Sequence, residues 1–169
     1  MTRSTQARVR AQAILDMFHV RRPPVDVVRI ADGLGFEVHD FAFPDESTSA
    51  VLIIDDDVRG IGVSETFAPT RKRFSIAHEL GHYLLGHGDF ADSKKTFEDG
   101  TYNYLDPQNR QESEANEFAA ELLMPEKFLG RDVAEMGLDA RALAKRYQVS
   151  EQALWIQLIS LHLASKDDT

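Results

Sequence analysis

Residues 69–87 read PTRKRFSIAHELGHYLLGH, and the two ends of this stretch constrain everything between them. Pro69 suits the first turn of a helix, where its missing N–H leaves no bond unmade, and Gly86 suits the position just past the last turn. A helix bracketed in this way sets His78 and His82 four residues apart, about 40° in projection and ~6 Å along the axis. Both imidazoles can then meet one ion. Glu79 lies about 100° further round, poorly placed to join the same ligand set but able to face the ion's water as a general base. The competing reading is a packed, hydrogen-bonded histidine pair on the stripe Phe74, His78, His82 and Leu85.

The chain contains no cysteine among its 169 residues, so a soft-metal site must use imidazole and carboxylate. The same absence excludes disulfide stapling, thiolate zinc fingers, iron–sulfur clusters and a cysteine nucleophile. Zinc takes imidazole nitrogen at about 2.0–2.1 Å, and a catalytic zinc usually has three protein ligands with the fourth position left to water. A third ligand is therefore required from another element. Glu112, Glu114, Glu117 and Glu121 stand on the next helical segment, whose buried stripe is Ala115, Phe118 and Leu122. Glu112 and Glu114 border that stripe, whereas Glu117 and Glu121 point toward solvent. Helical projection alone does not choose among them.

Around these segments the chain reads as one α+β unit. A helix carrying Ala7, Ile14, Leu15 and Phe18 stops before Arg21-Arg22-Pro23-Pro24, and a second follows with Val25, Val28, Ile30 and Leu34, ending at Gly33 and Gly35. Residues 36–41 alternate with period two, and residues 50–54 and 61–63 flank a turn-rich stretch, together predicting a small antiparallel sheet. Residues 88–113 are polar without apolar period and read as a long loop, a lid or a disordered flap. Helical character returns up to Met124-Pro125, and two short helices, about 139–147 and 150–163, close the chain with Ser150 as an N-cap. Nineteen basic against 28 acidic side chains give a formal charge of −9, which opposes unspecific binding to phosphate backbones. The amino terminus has no secretory h-region and no stretch approaches the ~20 apolar residues of a spanning helix, so a cytoplasmic protein is expected.

RFSIAHELGHYLLGH at residues 73–87, taken with ESEANEFAAELLMP at residues 112–125, resembles the ImmA/IrrE family of bacterial zinc metallopeptidases. PPVDVVRIADGLGFEV and VLIIDDDVRGIGVSETFAPTRKRF resemble the family's opening helix and strand and its hairpin. The resemblance implies a zincin-like, gluzincin-like fold with a metallopeptidase domain over residues 1–130 and a helix-turn-helix-like subdomain over residues 131–169. It implies that the acidic residue directly before Ala-Asn, here Glu114, joins His78 and His82 on Zn2+, while Glu79 activates water and passes the proton to the leaving amine. An oxyanion donor is also needed; Tyr102, Tyr104, His87 and His162 are the candidates. The implied activity is that of an endopeptidase cutting a helix-turn-helix repressor and so releasing stress or mobile-element genes.

Two other readings stand beside it. A regulator could act by binding alone, to a repressor or to DNA through the last helices. Against DNA, residues 131–163 hold Arg131, Arg141, Lys145 and Arg146 against Asp132, Glu135, Asp139 and Glu151, which is 4 − 4 = 0, a poor phosphate anchor. A purely structural zinc domain is disfavoured because closed sites normally have four protein ligands.

Overall fold

A computed structural model describes residues 3–87 and 107–169, with side chains over 6–87 and 110–169. The elements run α1 (Arg3–Met17), α2 (Val27–Gly33), β1 (Glu37–Phe41), β2 (Ala50–Ile54), β3 (Arg59–Ser64), α3 (Pro69–Leu84), α4 (Pro107–Leu123), α5 (Glu126–Met136), α6 (Ala140–Tyr147) and α7 (Glu151–Ser160). Their ends follow local chemistry. Asp26, Asp139 and Ser150 each accept a bond from the backbone N–H three residues on, satisfying an orphan donor of the following helix. Gly86, at φ 69°, turns the chain after α3 in the left-handed region.

The three strands form one sheet in the order β1-β3-β2, and its pairing corrects one expectation. β2 and β3 are antiparallel, with Leu52 opposite Ile61, but β1 runs parallel to β3, with Val38 opposite Ile61. The period-two pattern of each strand shows which side chains face the core, not which strand is the neighbour. Residues 55–58 turn β2 tightly into β3, with Asp55 N–H donating to the Val58 carbonyl at 2.9 Å. Since β3 occupies the slot between β2 and β1, the sheet is mixed.

Two further expectations change. The long loop does not reach Ser113: α4 begins at Pro107, and the rest of the expected lid lies outside the described residues. Glu126–Met136 forms a helix that the apolar pattern did not disclose; its exposed Met136 blurs the stripe. The boundary expected at residue 130 falls inside this helix.

The core is continuous from end to end. Ile14 and Leu15 of α1, Ile61 and Val63 of β3, Leu80 of α3, Phe118 and Leu122 of α4 and Leu154 and Leu158 of α7 belong to one buried cluster. Full burial of each such side chain contributes about 1.5–3 kcal/mol. The middle of α3 is buried nearly all round, Ser75 to Ala77 and Glu79 to His82 included, because it packs against the sheet, α2 and α4. That burial places polar side chains where each must find a partner.

Candidate metal centre

Two imidazoles and one carboxylate converge where α3 crosses α4. His78 Nε2 and His82 Nε2 lie 3.0 Å apart. Glu112 reaches both, with Oε2 at 3.0 Å from His78 Nε2 and Oε1 at 3.2 Å from His82 Nε2. Ligands at about 2.0–2.1 Å from a tetrahedral zinc stand roughly 3.3 Å apart, close to all three spacings. Among the described residues, His78, His82 and Glu112 form a group able to hold a metal ion, with donor atoms within 4.8 Å of one another.

The outer nitrogens make the fit more specific. His78 Nδ1 lies 2.8 Å from Asn116 Oδ1; with the proton on Nδ1 and the amide oxygen accepting, Nε2 is left as a lone pair. His82 Nδ1 lies 2.9 Å from His87 Nδ1, and His87 Nε2 lies 3.0 Å from Glu114 Oε2. With both imidazole protons on Nδ1, two lone pairs and a carboxylate would face one point, where a divalent cation supplies the positive charge.

Electrostatics support the same donor set. Burial pushes the Glu112 carboxyl up, but its bonds to His78 and His82 overcome this and hold it at about 2, so it stays ionised. Burial lowers His78, yet the bonds and charges of Glu112 and Glu79 bring it above the usual imidazole value. Glu79 is only 4% exposed. Burial raises it to about 7, the charge of His78 opposing and that of Glu112 adding. His87 is driven down, chiefly by burial, with the bond to Glu114 opposing.

The structure brings His78, His82 and Glu79 together as the spacing predicts, but it does not bring Glu114 to the imidazole pair. Glu114 bonds His87 instead, and Glu112 takes the position beside the paired nitrogens. The reason is helical: Glu112 and Asn116, four apart, share the face turned to α3, while Glu114 lies about 200° round from Glu112. Glu121, expected in solvent, is buried at 4% exposure, accepting from Glu126 N–H and from the Gln157 amide. Glu117 is half-buried against Arg8. Of the candidate oxyanion donors, His87 is buried between His82 and Glu114, His162 is exposed after α7, and Tyr102 and Tyr104 lie outside the described residues. Asn116 went unnoticed in the sequence, although its spacing from Glu112 equals that of the two histidines.

An α+β domain whose buried active helix carries HExxH, crossed by a second helix with a carboxylate, defines a metallopeptidase-like protein. Residues 31–158 match the model of the IrrE N-terminal-like domain, peptidase family M78, and the chain belongs to that family. No curated protein matches it. Among solved structures it is similar to a Mycobacterium tuberculosis transcriptional regulator, with a TM-score of 0.68 at 20% identity. That likeness covers 92% of this chain and 46% of the other, so the chain spans about half the length of this neighbour. The family resemblance read from the two motifs and the α+β class are thereby borne out.

Proposed function

We propose that the chain is a cytoplasmic zinc endopeptidase whose ligands are His78, His82 and Glu112 and whose general base is Glu79. The convergence of three donor atoms beside a buried glutamate carries this reading. Zinc held by these three residues would supply a bound water with a pKa lowered to about 7 and a Lewis acid for the carbonyl. Glu79 takes the proton from the attacking water as the new C–O bond forms. It returns that proton to the amide nitrogen as the C–N bond breaks, so that one carboxyl serves as base and then acid. Its burial excludes bulk water, which would compete for the proton.

The substrate proposed is a helix-turn-helix repressor cut in an extended linker. Among the described residues β2 is an edge strand that packs against α3, with an outer ladder to which an extended peptide can add. No helix among the described residues is long and apolar enough to cross a membrane. The structural neighbour is described as a transcriptional regulator, which agrees with a role in gene control and also keeps a second reading in view, regulation by binding without cleavage.

The test is to incubate the chain and zinc with a helix-turn-helix protein encoded beside it and to read intact masses. Two fragments from the wild type, and none from a zinc-loaded Glu79→Gln variant, support the proposal. Undiminished cleavage by Glu79→Gln removes the assigned base. Operator DNA shifted by a zinc-loaded protein that releases no peptide favours the binding reading.

A further inference from the structure

Past the end of α3, Gly86 turns the chain so that His87 folds back over the helix it has just left. Its backbone N–H donates to the His82 carbonyl at 3.0 Å, and its ring is only 5% exposed. The side chain stands between two groups and touches both, His82 Nδ1 at 2.9 Å and Glu114 Oε2 at 3.0 Å.

Without an ion, His82 Nε2 can donate to Glu112; with a cation held at that nitrogen, donor and acceptor rules leave this chain one direction. An ionised carboxylate only accepts, so Glu114 requires a proton on His87 Nε2. A neutral imidazole carries one N–H, so His87 Nδ1 is then a lone pair and must accept. His82 therefore carries its proton on Nδ1 and turns an unprotonated Nε2 toward His78 and Glu112. The opposite direction sets a lone pair of His87 against the carboxylate and an N–H of His82 where an ion would sit.

We propose that Glu114 and His87 are positioning residues that fix the tautomer and ring orientation of His82, keeping Nε2 ready to bind metal. This rests on the reading of His78, His82 and Glu112 as ligands. It gives the two histidines different supports: His78 Nδ1 meets the side-chain amide of Asn116, and His82 Nδ1 meets a second imidazole backed by a carboxyl group. Groups that orient a ligand imidazole in this way typically change metal affinity about 10- to 100-fold when removed.

The test uses the whole chain with zinc as the probe. Zinc affinity is measured by competition with a chromophoric chelator for the wild type, Glu114→Gln and His87→Phe, and nitrogen-15 NMR reads which ring nitrogen of each histidine carries the proton. Zinc-loaded wild type should show His82 protonated on Nδ1 and His87 on Nε2. His87→Phe should bind zinc about 10- to 100-fold more weakly. Glu114→Gln, whose amide can also donate, should weaken binding and mix the tautomers of both rings while the metal-free melting temperature stays unchanged. If His87→Phe does not fold, Glu114→Gln and the wild-type NMR decide alone. Affinities within twofold of wild type, or a His87 proton on Nδ1, overturn the proposal. A wild type that binds no zinc overturns the metal reading instead, whereas zinc bound equally well by wild type and both variants overturns the relay alone.

Discussion

Gly81 of α3 meets Ala115 of α4 backbone to backbone. A Cβ at Gly81 would lie 3.2 Å from both the Cα and the carbonyl oxygen of Ala115 and 3.0 Å from Phe118 Cδ1. The middle glycine of His78-Glu79-Leu80-Gly81-His82 thus sets how near the second helix can come, and with it how near Glu112 comes to the imidazoles.

Gly81→Ala should therefore move α4 outward. The overpacking cost of about 1–3 kcal/mol is set against the ~1 kcal/mol gained in helix propensity, so the net loss should be up to about 2 kcal/mol, or up to roughly 8 °C in Tm. Zinc affinity should fall as well, because Glu112 moves with α4. A variant that melts and binds like the wild type would show that the crossing has slack.

Glu112 and Asn116 share a face of α4 but stand at different removes from the ion. Asn116→Ala should weaken zinc binding by about 10- to 100-fold, and Glu112→Ala by more, since it deletes a donor atom. Chelator competition ranks the two. Equal losses would argue that Glu112 only pairs with the histidines.

Glu121 predicts a pH dependence away from the metal centre. Burial raises its carboxyl from 4.5 to about 7 in the folded chain, against the bonds from Glu126 N–H and Gln157 and the charge of Arg8. Between those values the folded protein holds a proton that the unfolded chain has released, so stability is lost as pH rises through that window. At about 1.4 kcal/mol per unit, the wild type should lose up to roughly 3 kcal/mol relative to Glu121→Gln between pH 4.5 and 8. Urea unfolding of both proteins across this range measures the difference. A constant difference would refute it.

Asp132, 1% exposed, accepts from Arg146 Nε and Tyr147 Oη, both at 2.7 Å, and so ties α5 to α6. Burial pushes its carboxyl up, but these two bonds outweigh it and hold the group below the usual aspartate range. Asp132→Ala leaves the Tyr147 hydroxyl buried without an acceptor and should cost on the order of 2–4 kcal/mol. Thermal unfolding checks this. Tyr147→Phe, which removes the donor as well as the need for it, should cost less.

Much of this was legible in the residues alone. Pro69 and Gly86 mark the ends of α3, and the spacing of His78, Glu79 and His82 gives two donors on one face with a base beside them, because a helix has one geometry wherever it lies. The third donor depends on how two helices cross, which projection of either helix does not contain. The family motif pointed to Glu114, two residues from the glutamate the crossing selects. The burial of Glu121 was hidden for the same reason: α5 and α7 cover a face that reads as solvated. Strand neighbours in the sheet depend on the path of the connection, so alternation along β1 did not reveal its parallel pairing.

Glu112, Glu114 and Asn116 ride on a single rod, α4, so the proposed donor, the carboxyl behind His87 and the amide behind His78 move together when that helix moves. A displacement of α4 would take Glu112 from both imidazoles, Asn116 from His78, and Glu114 from the His87 that touches His82. On the proposed reading, metal affinity is set by the seating of α4 as a whole.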